Sequence, residues 1–216
     1  MAGIKEQKRR WVLDGDRLAL DFANTVGGMR EAAPKEELEQ FSDLISWAEA
    51  AKLLDKREAA NSYKEAEQYP EAAEALLVQA RQIREALHVT VLAALDGRAP
   101  SQASLDTVNA WIAEALAHRR LYPKAKGGFE ARFETDGAAL AFLRPVALDA
   151  MDLLERELAA GGRVRLCGES EFGRCGWLFL DQTKNKSRRF CSMTDCGNRA
   201  KQRRFQERRR GEHTHG

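Results

Sequence analysis

The chain has 216 residues, 44% hydrophobic and 31% charged, an ordinary globular composition that need not be disordered, is not of low complexity and suffices for one or two packed domains. No run approaches the roughly 18 apolar residues of a membrane span, and the opening MAGIKEQKRRWVLDG lacks the apolar centre of a signal peptide, so the expected location is the cytoplasm with no membrane partner. The net charge of +2 conceals an asymmetry: Lys184 to Arg210 holds eleven Lys or Arg against Asp195 and Glu207, a net +9, which leaves −7 for the remainder. A basic end on an acidic body points to a polyanion, since Lys and Arg beside phosphates release counterions, although a solvated tail would carry the same charges.

In chain order, Leu18 to Val26 is ambiguous, because Leu18, Leu20 and Phe22 alternate as in a strand while Leu18, Phe22 and Val26 recur at helical spacing. Ser42 is placed to cap a helix from Asp43 to about Leu54. Helical periodicity then predicts Glu71–Leu95, through Leu76, Ile83, Leu87 and Val91, and Ser104–Ala117, through Leu105, Val108, Ile112 and Leu116. Phe129, Ala131 and Phe133 alternate ahead of Asp136 and Gly137, which predicts a hairpin turning at that pair. Pro145 to Ala160 reads as a further helix with Gly161 as its stop, and all five prolines fall at or near breaks.

The four cysteines all lie in the last quarter, at Cys167, Cys175, Cys191 and Cys196, spaced C-x(7)-C-x(15)-C-x(4)-C. In a reducing compartment such a cluster is better suited to a metal than to disulfides. Four thiolates suit one tetrahedral structural Zn2+ with no open position; iron–sulfur ligation stays open, though the spacings match neither ferredoxin pattern. Cys175 precedes a short strand containing Trp177 and Phe179, with Leu166 on a possible partner, so two ligands fall at one end of a hairpin. The other two fall at the start of a helix over about Gly197–Arg210, with Thr194 or Asp195 as cap. His88 and His118 sit in helical patterns far upstream, and His213 and His215 lie in the tail.

The segment GRCGWLFLDQTKNKSRRFCSMTDCGNRAKQRR resembles the CGNR zinc finger, named for the string at Cys196, Gly197, Asn198 and Arg199. LALDFANTV at 18–26, DLISWAEAAKLL at 43–54 and ARQIREAL at 80–87 resemble the helical, ABATE-type domain that precedes this finger. Phe190 stands where members of the family often carry Trp. The resemblance implies a bacterial stress-response transcription regulator whose finger binds DNA. The expected fold is mainly α with some β: a helical domain with a small β-hairpin over 1–161, acting as a sensor or dimerisation unit, then a treble- or ribbon-like zinc finger over 162–216 ending in a basic helix.

By residue chemistry, Asn198, Arg199, Lys201, Gln202, Arg203 and Arg204 open that helix and supply groups that pair with base edges, while Lys184, Lys186, Arg188 and Arg189 are placed for phosphates. Asn198 also suits a cap or a donor to a cysteine sulfur, and Phe205 reads as a packing anchor. Asp21, Asn24 and Thr25, with Arg84, either satisfy backbone groups at a turn or line a pocket for a small-molecule effector. No nucleotide-binding, nucleophile-elbow or HExxH motif is present, so an enzyme is not expected. Double-stranded DNA is the expected partner, with RNA or an acidic protein as alternatives and a homodimer as a means of doubling the site.

Overall fold

The computed structural model describes residues 11–158 and 162–212, with side chains through Arg209. It is mostly helical with three two-stranded sheets. The ambiguous segment resolves into helix α1 (Leu18–Ala23) followed by strand β1 (Val26–Gly27), which pairs with β2 (Lys35–Glu36). Tertiary packing decides this: Ala19, Leu20, Phe22 and Ala23 are all fully buried, which a two-sided helix at the centre of a core satisfies and an edge strand does not. The Phe22 ring lies 5.3 Å from that of Trp47 and 6.0 Å from that of Trp111.

Around α1 stand α2 (Phe41–Ala50), α3 (Lys56–Gln68), α4 (Pro70–Leu95), α5 (Gln102–Ala117) and α6 (Arg144–Asp152), the last continuing as a π-helical turn over Leu153–Glu157. The spine is α4, which buries Leu77, Ala80, Arg84, Leu87 and Val91 at alternating spacings of three and four. Pro70 opens it, where a missing N–H costs nothing. Against the sequence reading, α2 begins before Ser42: the Asp43 carboxylate accepts the Gln40 N–H at 3.0 Å. It also ends early, since Lys52 turns left-handed (φ 61°) and the Leu53 N–H returns to the Ala48 carbonyl at 2.8 Å. Helix α3 was not expected, because it buries only Ala59; its signal was the box in which Asp55 accepts the Glu58 N–H and Glu58 accepts the Asp55 N–H, both at 2.8 Å. The cap of α5 is Ser101, which accepts from the Ser104 N–H at 3.2 Å.

The hairpin is a second correction. Phe129–Phe133 (β4) is a strand, but it pairs backwards with β3 (Arg119–Pro123) through a turn in which Gly127 and Gly128 both adopt positive φ. Two consecutive left-handed residues are what a tight reversal needs, and they stand before the strand rather than after it. Asp136, assigned to the turn, instead grips the buried Arg144 at 2.5 Å. The end of the predicted 145–160 helix and Gly161 lie outside the described residues, as do His213 and His215.

Strands β5 (Val164–Leu166) and β6 (Leu178–Leu180) form the third sheet, with Val164 opposite Leu180. Alternation gives β6 two roles: Leu178 and Leu180 join the main core of the helical body, while Phe179 joins a separate cluster around the cysteines. The hairpin is fastened by Asn24, whose side chain donates to the Leu178 carbonyl at 2.7 Å and accepts the Leu178 N–H at 2.8 Å. The Gly176 N–H donates to the Gly28 carbonyl at 2.7 Å, an approach so close that a Cβ on Gly176 would stand 3.1 Å from that oxygen. Final helix α7 spans Cys196–Glu212. Among the described residues no helix is long and apolar enough to cross a membrane.

Replacing Asn24 with Ala leaves both polar groups of Leu178 buried without their partner, at an expected cost of about 3 kcal/mol. Urea unfolding of the purified protein should show the lowered midpoint; an unchanged midpoint would mean that apolar contacts alone hold the hairpin.

Candidate metal centre and basic helix

Cys167 follows β5, Cys175 lies three residues before β6, Cys191 closes the loop after β6, and Cys196 is the first residue of α7. All four are buried, and their sulfurs lie within 4.8 Å of one another. A Zn–S bond of about 2.3 Å in a tetrahedron requires sulfur–sulfur edges of about 3.8 Å. Cys175 to Cys191 measures 3.7 Å and Cys191 to Cys196 3.6 Å. The set therefore fits one closed tetrathiolate zinc site, in which a Zn2+ ion would offset two of the four thiolate charges and tie these four points of the chain together.

The electrostatics favour a cation in the same place. The adjacent Cys167 sulfur, followed by Cys175, Cys196 and burial, pushes the Cys191 thiol far up. Hydrogen bonding by the other three cysteines, Cys175 first, pulls Cys167 far down. Four sulfurs this close cannot all ionise by themselves, and a divalent ion removes the conflict. Backbone N–H groups of Cys191 and Trp177 donate to Cys167 and Cys175, and the Arg199 guanidinium reaches the Cys196 sulfur at 3.4 Å. These donors orient and stabilise thiolates.

The CGNR string acquires a physical role at each position. Cys196 is a ligand; Gly197 lies under Met193, whose sulfur and methyl would stand 3.2 Å from an added Cβ. Asn198 donates to the Thr194 carbonyl at 2.8 Å, and Arg199 pairs with Asp195 at 2.6 Å as well as with the sulfur. The sulfur donor is thus Arg199 rather than Asn198. Asp195 is engaged by Arg199 one turn into the helix.

The charged residues separate into two groups. Arg188 pairs with Asp16, donates to the carbonyls of Asp14 (2.9 Å), Phe190 (3.0 Å) and Cys191, and lies over the Phe179 ring at 4.5 Å. Arg203 pairs with the fully buried Glu169 at 2.6 Å and stacks on Phe172 at 3.3 Å. With Arg199, these side chains hold the finger's own shape. Lys184, Lys186, Arg189, Lys201, Gln202 and Arg204 are exposed, as are Arg208 and Arg209. Phe205, read as an anchor, is instead 61% exposed, because the helix presents Cys196, Ala200 and Arg203 inward and position 205 falls on the opposite side. A spacing of three or four counted from Cys196 contained that information.

Asp21, Asn24, Thr25 and Arg84 are all buried. Asn24 holds β6, Asp21 accepts the Gly15 N–H at 2.8 Å, Thr25 donates to the Phe22 carbonyl at 2.8 Å, and Arg84 pairs with Glu36 at 2.7 Å. They satisfy backbone and charge within the body, the first of the two roles open to them. Trp177, not among the candidates, adds another tie, its indole N–H donating to the Val26 carbonyl at 2.9 Å.

The described chain is thus a helical body joined through β5 and β6 to a tetrathiolate zinc finger. Residues 16–157 match the ABATE family, described as a putative stress-induced transcription regulator, and residues 163–209 match the CGNR zinc finger. The first match alone spans about two-thirds of the sequence, and the chain belongs to the ABATE family, with a CGNR zinc finger following. Neither family is an enzyme family. No curated protein matches the chain.

Two measurements follow. Metal analysis should give one zinc per chain, and Cys191→Ser should lose it together with helical circular dichroism from α7; retention of both would contradict a four-sulfur site. Burial, outweighing the Gly15 hydrogen bond and joined by Asp16, Asp14 and Asp149, pushes the Asp21 carboxyl up to about 7. Since the native state holds this proton more tightly than the unfolded chain, its contribution is full below about pH 4 and is lost as pH rises to about 7. Asp21→Asn should flatten that part of the stability–pH curve and raise stability at pH 8, read by urea unfolding across pH.

Proposed function

We propose that the protein is a zinc-dependent DNA-binding regulator of transcription, in which residues 162–216 contact the duplex and residues 1–161 sense a signal or dimerise. The observation that carries this reading is the outward face of α7. Asn198, Lys201, Gln202, Phe205, Arg208 and Arg209 recur at helical spacing and are all exposed, while the opposite face is fixed to the zinc knuckle by Cys196, Ala200 and Arg203. A helix of 17 residues is about 25 Å long and enters a major groove. Gln202 there pairs with adenine, Lys201 and the arginines with guanine or phosphate, and Phe205 with a thymine methyl. Lys184, Lys186, Arg189 and Arg204 lie beside this face in sequence and serve the backbone. Zinc contributes by setting the angle of α7, and Arg188, Arg199 and Arg203 support that setting without touching DNA.

Selection from a random duplex pool, with zinc-loaded protein and with Cys191→Ser, tests the proposal. An enriched motif that vanishes in the variant is expected. On the selected duplex, Lys201→Ala should lower affinity and reduce the salt slope by about 0.9, and Gln202→Ala should relax one base position by about 1–3 kcal/mol. Absence of enrichment, with equal or tighter binding to RNA, would overturn it.

A further inference from the structure

One opening in the helical body has no part in the finger. It lies between α3, the start of α4 and the 133–142 segment, with a volume of about 440 Å³, within the range of small-molecule sites. Its apolar surface is rich in rings: Phe41, Tyr69, Phe133 and Phe142 all contribute, and Leu54 and Leu76 fill between them. Of the twenty residues around it four are carboxylates, Glu58, Glu65, Glu134 and Asp136, and none is Lys, Arg or His.

Two of these carboxylates are neutralised by groups outside the cavity, Glu134 by Arg120 at 3.1 Å and Asp136 by Arg144 at 2.5 Å. Glu58 and Glu65 differ. Both are exposed; Glu58 accepts only the uncharged Asp55 N–H, and among the described residues neither is within 4.0 Å of a basic nitrogen. With Ser62 they occupy α3 at spacings of four and three, so one helix face carries two negative charges along a ring-lined cavity. Carboxylates repel an anionic ligand, and with Glu134 and Asp136 committed to arginines, Glu58 and Glu65, seven residues or about 10 Å apart along α3, are too far apart to chelate one metal ion. Phe41 and Phe142 are buried and Arg119 already lies over the Phe133 ring at 5.2 Å, so the exposed Tyr69 ring and the two carboxylates are what suit an alkylated ammonium group, through cation–π attraction and charge, with the ligand's apolar part on Leu54 and Leu76.

We propose that this cavity binds an organic cation with an apolar body, an alkyl- or arylalkylammonium compound. The assignment gives the sensing role of residues 1–161 a ligand class. It rests on the proposed regulator function only for its consequence at DNA, since binding is measured without DNA.

The test is isothermal titration calorimetry on the full, zinc-loaded chain with trimethyl(4-phenylbutyl)ammonium, using 4-phenylbutanol and 4-phenylbutyrate as neutral and anionic counterparts. The cation should bind at least tenfold more tightly than either. Glu58→Gln combined with Glu65→Gln keeps side-chain shape and the acceptor for Asp55, and should remove that preference while leaving the alcohol's binding unchanged. Ala66→Trp should fill the cavity and abolish binding of all three. Equal binding of the three compounds, no binding by any, or an undiminished preference in the double variant would overturn the proposal. Affinity for the selected duplex, measured separately with and without the cation, distinguishes failure here from failure of the regulator reading: calorimetric selectivity without any duplex binding would sink only the latter.

Discussion

Four buried sulfurs within 4.8 Å of one another set the terms for the C-terminal quarter of the molecule. A hairpin of two three-residue strands, a 3₁₀ turn and an isolated basic helix cannot bury enough apolar surface to order themselves. A zinc ion held by all four sulfurs supplies the missing free energy at the point where those pieces meet. The small apolar cluster around it, Phe179 with Trp177 and Phe190, covers the sulfurs rather than forming a core of its own.

The same hairpin ties this centre to the helical body. Because side chains alternate along β6, Leu178 and Leu180 are packed among the helices while Phe179, between them, packs against the cysteines. Asn24 binds both polar groups of Leu178, Trp177 reaches β1, and Arg188 joins Asp16 to the carbonyl of the ligand Cys191. Finger and body therefore share a strand and a set of buried hydrogen bonds. Asn24, at the end of α1, and β6 are thus in direct contact, and the loop that follows β6 carries Cys191.

Charge in the finger follows a division of labour that its sequence density hides. Arg188, Arg199 and Arg203 each have carboxylate partners and hold the knuckle, with Arg203 compensating Glu169, a carboxylate that is fully buried. A buried carboxylate left without its guanidinium would be strongly destabilising, so Arg203 is held to this role. The exposed charges on the far side of α7 have no such duty, and the basic excess at that end is available to a polyanion.

The sequence by itself determined the parts governed by local spacing and by chemistry that has few solutions. Four clustered cysteines in a reducing setting imply a closed metal site wherever the chain takes them, Pro70 and the spacing of Leu76, Ile83, Leu87 and Val91 imply a long helix, and the basic run after Cys196 implies another. Tertiary structure alone decided the rest. The pattern of Leu18 to Val26 suited either helix or strand until burial on all sides selected the helix. Strand 129–133 showed its own alternation but not its partner, since pairing depends on where two left-handed glycines allow the chain to reverse. Asp21, Asn24, Thr25 and Arg84 are polar residues in an apolar setting, and only the positions of Gly15, Leu178, Phe22 and Glu36 show that they satisfy the fold itself. The cavity beside α3 has no sequence signature at all, because its walls come from segments up to about 100 residues apart, and a surface assembled at that separation exists only once the helices have packed.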